Sequence, residues 1–440
     1  MDTGMWALTM VPVMLLSMCL GLPFFAAMGT VGLVYGVATF GLNVLPIAYL
    51  KVFGFMMEPA FIAVPMFVLM GSQLAATGLA EQLFMAVYKF FGTMRGGLLV
   101  AVGLVCTVMA ACTGTSAGPI TTMAIAALPT MLKKHYNPEL ACGSISAFGC
   151  LGTLIPPSSM LIILGLTASI PIGRLYAAAF VPGFLLAGIY IAYCLVRAWL
   201  VPWDAPAMTR EELGEVHFWS SLWEVTRAVA PVMLIIFAVL GTIYLGVCTA
   251  TEGAGIGAFT TLALSIVYRK FTLSRYIDAI TLCYRATAMT CGLMIGANFF
   301  SSVFLAMGGG DAITRIATGW GVSGTGLIYL VLGLNFILGF FMGSTSIILI
   351  LVPIFWPVLQ KMGVPDLWFF MLFIFMTQIG YLTPPYAQGI YLLKPLCPKE
   401  IETQVLYRGI VPFVCLQLVT VVLLWYIPAI TTWLPSTMIK

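Results

Sequence analysis

The sequence predicts an all-α polytopic membrane protein: an inverted repeat with two re-entrant hairpins and two broken helices. Three observations carry this. Of the 440 residues, 61% are hydrophobic and 8% charged, against roughly 25% charged in soluble domains. The pattern G-x-L-x-P-P occurs twice inside apolar runs, as Gly152-Thr153-Leu154-Ile155-Pro156-Pro157-Ser158 and as Gly380-Tyr381-Leu382-Thr383-Pro384-Pro385-Tyr386. Each copy follows a small polar tip at matched spacing: Gly114-Thr115-Ser116 lies 38 residues before Gly152, and Gly343-Ser344-Thr345-Ser346 begins 37 residues before Gly380. A proline pair removes two backbone donors and stops a helix, so in hydrocarbon such a break must line protein or a wet cavity. Matched breaks in two halves point to a transport site.

A span needs roughly 20 apolar residues. The first candidates run over 5–20 and 24–42, separated by Gly21-Leu22-Pro23. No basic cluster precedes the first, so it reads as a retained span rather than a leader. Lys51 and Glu58 flank a short amphipathic piece, and a span over 61–76 follows. The stretch 79–93 mixes Glu81, Gln82 and Lys89 with aromatics, the composition of an arm lying along the membrane surface.

From 96 to 132 the chain is apolar except at the Gly114-Thr115-Ser116 tip, and both flanks are basic: Arg95 before, Lys133 and Lys134 after. By the positive-inside rule both ends face the cytoplasm, which makes this stretch a hairpin. Two thin spans of about 17 residues are the poorer alternative. The first broken helix (140–166) and a span over 177–195 complete the first half, residues 1–203. The polar loop 204–215 and an amphipathic stretch 218–227 on the inner surface separate the halves, giving an inter-repeat segment over 204–228. The second half, 229–440, holds a span over 229–245, a re-entry at 246–252, a span to Tyr268, a span over 289–307 and an arm over 311–320. It continues with a hairpin over 326–359, the second broken helix (368–393) and a last span to Trp433. The second hairpin has only Arg315 and Lys361 near it, beside Asp311 and Asp366, so it enters from the opposite side. Ten full spans place both termini outside.

The tips and breaks supply oxygen only: the hydroxyls of Thr115, Ser116, Ser344, Thr345 and Ser346, glycines at Gly114 and Gly343 that bare the backbone, and carbonyls freed around Gly152, Thr153, Pro156, Pro157, Ser158, Gly380, Thr383, Pro384 and Pro385. Neutral oxygens suit Na⁺, and half-helix N-termini suit an anionic substrate. For one motif alone, close helix packing is the better account of Ser and Gly; two copies at matched spacing favour a site. Glu252 is an intramembrane acid candidate, either functional or merely at a span's end, and the alternative to Na⁺ coupling is proton coupling through it. Neither His135 nor His217 belongs to a metal motif and no nucleophile–base pair is visible, so an intramembrane enzyme is the weak rival. A non-transporting scaffold has no need of duplicated breaks. Net charge of +4 is too small and dispersed for nucleic-acid binding, and the eleven cysteines lack C-x-x-C spacing and read as small hydrophobes.

The chain resembles the large membrane subunit of TRAP (tripartite ATP-independent periplasmic) transporters. The resemblance covers nearly all of it and rests on Ala63-Val64-Pro65-Met66-Phe67-Val68-Leu69-Met70-Gly71, Arg95-Gly96-Gly97-Leu98, the Gly114-Thr115-Ser116 tip, residues 152–158, Thr251-Glu252, Asn335, Pro353-Ile354-Phe355 with Pro357, and Leu382-Thr383-Pro384-Pro385. It implies a bacterial inner-membrane, Na⁺-coupled importer of a small organic acid anion, carboxylate or sulfonate, working by an elevator motion in membrane lipid. It also implies a small membrane subunit, a periplasmic substrate-binding protein as partners, and ion sites where tips meet breaks. Two positions depart from the family pattern: Gly343 stands where Asp is usual, and Gln388-Gly389 where Asn follows the second proline pair.

Overall fold

The structure, a computed structural model, describes residues 3–207, 218–319, 324–385 and 387–438. His217, Trp320, Tyr386 and most of the 204–215 loop lie outside them. The described residues are almost entirely helical and contain no strand.

The first half begins with α1 (Thr3–Leu8), α2 (Met10–Cys19), α3 (Phe24–Phe40) and α4 (Val44–Met56), then α5 (Ala63–Thr77) and α6 (Leu79–Phe91). Hairpin 1 consists of α7 (Gly97–Thr113) and a return limb of α8 (Ala117–Ala126) and α9 (Leu128–Lys133); α10 (Pro138–Cys150) and α11 (Ser159–Ala168) are the two parts of the first broken helix; α12 (Ile172–Leu200) closes the half. The second half holds α13 (Phe218–Ile236), continued through a π turn to Tyr244, then α14 (Ala250–Val267), α15 (Leu273–Ala306) and α16 (Gly309–Gly319). Hairpin 2 is α17 (Gly324–Gly339) with α18 (Ser344–Lys361); α19 (Asp366–Leu382) and α20 (Gln388–Leu393) are the second broken helix; α21 (Thr403–Tyr426) and α22 (Ala429–Ser436) end the described chain.

Hydrogen bonds fix the sidedness of the hairpins. The Gly96 N–H, before hairpin 1, donates to Ala205 O (3.0 Å), and the Asn137 N–H, after it, donates to Asp204 O (2.9 Å). Both ends of hairpin 1 therefore meet one loop, which Arg197 at the end of α12 also grips through Asp204 (2.7 Å). Hairpin 2 closes elsewhere. Its two ends meet where Gly324 lies against Met362, and Asp366, just beyond, pairs with Arg174 at the start of α12 (3.7 Å). The 29-residue α12 thus separates the two closures, by about 43 Å at the helical rise. The hairpins enter from opposite faces.

Packing also repeats. The first limb of each hairpin lies on the first part of its own broken helix (α7 on α10, α17 on α19), while each return limb lies on the second part of the other repeat's broken helix (α8 on α20, α18 on α11). This exchange joins the halves into one core.

Several boundaries differ from the sequence expectation. Among the described residues seven helices are long and apolar enough to cross a membrane, with α3 and α4 counted together as 24–56, or eight if α5 and α6, which meet at 58°, form one span; ten were expected. Tips and proline breaks cut apolar runs into helices such as α7, α11, α17 and α19, each too short to cross alone. The expected first span is divided at Thr9, whose hydroxyl donates to Trp6 O (2.7 Å) and lies 2.8 Å from the Tyr35 hydroxyl. The second ends at Phe40; Gly41 (φ +63°) turns the chain back, laying Val44 against Gly36, so the piece before Glu58 is the end of α4. The stretch 218–227 is continuous with the following span, and α15 begins at Leu273, sixteen residues before the expected 289. Arg275, Asp278 and Arg285 interrupt hydropathy without interrupting the helix. The expected re-entry at 246–252 is a tight turn at Gly246 (φ +71°) followed by the Thr249 cap.

Candidate functional site

Hairpin 1 and the first break are in backbone contact. Gly114 takes φ +63°, and a Cβ there would lie 2.4 Å from Pro157 O; a Cβ on Gly152 would lie 2.2 Å from Thr115 O. Glycine alone permits both the left-handed turn and this approach. The Ser159 N–H and hydroxyl both donate to Gly114 O (3.3 and 3.2 Å). Behind the tip, Gly71 of α5 leaves room for Thr113 O, which a Cβ would meet at 2.8 Å. Ser116 is buried, and its hydroxyl lies 2.5 Å from the Tyr381 hydroxyl of the second break.

Within the first break, the Thr153 hydroxyl donates to Cys150 O (2.9 Å), and the Ser158 hydroxyl donates to Thr153 O while accepting the Leu161 N–H that starts α11. Pro156 and Pro157 have no N–H to offer the carbonyls four residues back, Gly152 O and Thr153 O. A hydroxyl that donates to a carbonyl still presents oxygen lone pairs elsewhere, so the break remains an oxygen-lined surface after its own bonds are made. The Pro156–Pro157 and Pro384–Pro385 bonds are both cis.

The second pair is assembled differently. The Thr383 hydroxyl donates to Ile379 O, four residues back (2.6 Å); Tyr381, not Thr383, stands at the motif position of Thr153. Gly380, however, packs against Gly339 of α17, where a Cβ would come within 2.4 Å of the Gly339 Cα, and not against the tip. Asn335 is buried one turn earlier; its Nδ2 donates to Phe373 O (2.8 Å) and its Oδ1 accepts the Thr377 hydroxyl (3.0 Å). It braces hairpin 2 on α19, and close packing explains Gly380. Gly343 has an ordinary φ of −70° before α18, and Ser344, Thr345 and Ser346 are half-buried, with no side-chain hydrogen bond among the described residues. Pro384 and Pro385 follow at the end of α19, where Pro385 has no N–H for Tyr381 O.

Glu252 stands at the exposed head of α14. Its carboxylate accepts the Thr249 N–H (2.8 Å) while the Thr249 hydroxyl accepts the Glu252 N–H (3.3 Å), a reciprocal cap that explains its presence without a coupling role. His135 sits in a turn after α9 with φ +59°. Two residues emerge that motif reading did not select. Tyr381 lies inside the second motif, and Gln378, buried one turn before it, donates from Nε2 to Cys150 O (3.1 Å) across the repeat boundary. An amide inside an apolar run was the signal for Gln378. Gly389 lies 3.0 Å, at its would-be Cβ, from Cys150 Sγ, leaving little space for a longer side chain.

Four helices begin at these tips and breaks: α8, α11, α18 and α20. At the head of α11 two N–H groups are already taken, that of Ser159 by Gly114 O and that of Leu161 by the Ser158 hydroxyl, so what the first tip and break offer is mainly oxygen.

Comparison with known proteins agrees with this architecture. The chain resembles the isethionate TRAP transporter permease protein DctMQ of Oleidesulfovibrio alaskensis, with 28% identity over 94% of this chain, which spans 64% of that relative. It is also 28% identical to the C4-dicarboxylate TRAP transporter large permease protein DctM of Pseudomonas aeruginosa, over 85% of this chain and 86% of the relative. Its fold matches the crystal structure of the Alcanivorax borkumensis YdaH transporter with a TM-score of 0.65 and 14% identity, over 98% of both chains. The family model for the DctM component of tripartite ATP-independent periplasmic transporters matches residues 9–430. The chain is therefore a multi-pass membrane protein belonging to the DctM family of TRAP transporter components, a family of transport permeases rather than enzymes.

Proposed function

We propose that this chain is the transport subunit of a Na⁺-coupled importer of a small organic acid anion, carboxylate or sulfonate, in the bacterial inner membrane. Relatives named for isethionate and for C4-dicarboxylates support that substrate class. A small membrane subunit and a periplasmic substrate-binding protein complete the system, and the binding protein selects the substrate. The two tips and two breaks carry the ions and the substrate, and an elevator motion of the hairpin core moves them across the membrane.

One observation carries the reading: the hairpin 1 tip touches the first break through backbone oxygens, with Pro157 O and Thr115 O against Gly114 and Gly152. Neutral carbonyls and hydroxyls replace the water shell of a monovalent cation, whereas proton coupling calls for a titratable group, and Glu252 is engaged in a helix cap. The face carrying Arg95, Lys133, Lys134, Lys394, Lys399 and Arg408 is then cytoplasmic, which leaves both termini periplasmic. The test is uptake into proteoliposomes holding both membrane subunits, supplied with the loaded binding protein. Uptake should require Na⁺; full-rate uptake with K⁺ in its place and an imposed pH gradient would overturn the ion assignment. Uptake by this chain alone at the rate of the whole system would overturn the partner assignment.

A further inference from the structure

A groove of about 640 Å³ runs between the arm α6 and the start of α13, reaching Tyr268 at the end of α14. It lies outside the hairpin core and at a defined depth. Arg227 immediately precedes the apolar run of α13, and Tyr268 is followed at once by Arg269 and Lys270, so the groove opens at the boundary between hydrocarbon and headgroups on the basic face. Its lining includes the apolar Leu79, Met85 and Pro231.

The charges around it do not cancel internally. Lys89 and Glu224 pair across the groove at 3.2 Å. That leaves Glu81 on α6 and Arg227 on α13, both exposed, of opposite sign, and without an ion-pair partner among the described residues. The two helices run antiparallel here: Lys89, in the last turn of α6, meets Glu224 of α13, and the same groove is lined both back to Leu79 on α6 and on to Pro231 of α13. In that register Arg227 stands opposite about residue 86 of α6, roughly one and a half turns from Glu81. One acid and one guanidinium on facing helices, about one and a half turns apart, complement a ligand with an ammonium and a phosphate on a short linker, beside an apolar lining for its chains. We propose that this groove is a binding site for a single phosphatidylethanolamine molecule, its phosphate on Arg227 and its primary ammonium on Glu81. A trimethylated headgroup cannot donate hydrogen bonds to Glu81, and an anionic headgroup leaves Glu81 opposed by like charge. The lipid fills the space between the surface arm and the helices of the adjoining span.

The test measures lipid retention and involves no transport, so its failure is distinct from failure of the proposed function. The protein, assembled with its small subunit, is reconstituted with equal amounts of phosphatidylethanolamine, phosphatidylcholine and phosphatidylglycerol, re-extracted, and analysed by native mass spectrometry. One phosphatidylethanolamine per chain is expected, and Glu81→Gln and Arg227→Gln should each lower its occupancy about tenfold, the scale of one lost charge-assisted hydrogen bond. Retention of phosphatidylglycerol in its place, with loss only in Arg227→Gln, would overturn the zwitterion assignment. Retention unchanged in both variants would overturn the site. So would absence of lipid from the assembled pair with Glu81 and Arg227 covered by the small subunit.

Discussion

The two tips share composition and spacing but differ in what their oxygens are doing. At the first, Thr113 and Ser116 are buried, Gly114 O accepts two hydrogen bonds from Ser159, and the Ser116 hydroxyl is engaged by Tyr381. At the second, Ser344, Thr345 and Ser346 are half-buried and their hydroxyls have no partner among the described residues; hairpin 2 is held instead through its first limb, by Gly339 against Gly380 and by Asn335. A duplicated sequence has thus produced one pre-formed contact and one tip whose polar groups are unclaimed. On the proposed reading the backbone holds the first tip in shape, while at the second the half-buried hydroxyls are open to water or to a ligand. A site built by close packing fails when crowded, while a site built from free hydroxyls fails when they are removed.

The largest expected effect comes from crowding the first tip. Gly114→Ala forces a left-handed residue, at about 1–2 kcal/mol, and places a methyl 2.4 Å from Pro157 O, adding overpacking of about 1–3 kcal/mol. Uptake should collapse and the thermal midpoint should fall. Gly343→Ala, at φ −70°, should change the stability by less than about 0.5 kcal/mol. Equal losses in both would erase the contrast.

Next is the brace. Asn335→Ala removes two buried hydrogen bonds, the one to Phe373 O and the one from the Thr377 hydroxyl, which keeps Phe373 O as an acceptor (2.8 Å), and should cost about 1–3 kcal/mol of stability. Detergent thermal melts should show that loss with the Na⁺ concentration for half-maximal uptake unchanged. A rise in that concentration without loss of stability would make Asn335 an ion ligand.

A smaller effect is expected at the junction of the repeats. Ser116→Ala and Tyr381→Phe each remove the same 2.5 Å contact, worth about 1 kcal/mol. A double-mutant cycle should therefore give a double variant no worse than either single one, and strict additivity would show that the two hydroxyls are not coupled.

Glu252→Gln should have the smallest effect: a slightly weakened start to α14 and normal uptake. Abolished uptake with a normal fold would favour proton coupling through that residue.

Much of this arrangement was legible in the sequence, because its signals are local. Pro156-Pro157 and Pro384-Pro385 stop a helix in any surroundings, and Arg95 with Lys133 and Lys134 marks the first hairpin's two ends. What could not be read depends on partners far along the chain. Nothing near Gly380 announces that Gly339 comes to meet it, and nothing near Ser116 announces Tyr381, 265 residues away. Charged residues misled the reading of α15, since Asp278 and Arg285 lower hydropathy without breaking a helix. Glu252 was ambiguous for a similar reason: its partner Thr249 is three residues away, but only the hydrogen-bond geometry distinguishes a cap from a coupling acid.

The central claim, that ions bind where the tips meet the breaks, is tested most directly by equilibrium binding of radioactive Na⁺ to the purified membrane complex. Wild type should bind Na⁺ saturably. Gly114→Ala should abolish one component of that binding, and Ser344→Ala should weaken another roughly five- to tenfold, the scale of one lost hydroxyl ligand; Asn335→Ala should leave both intact. Isotherms for Gly114→Ala and Ser344→Ala that superimpose on wild type, in folded protein, would contradict the account.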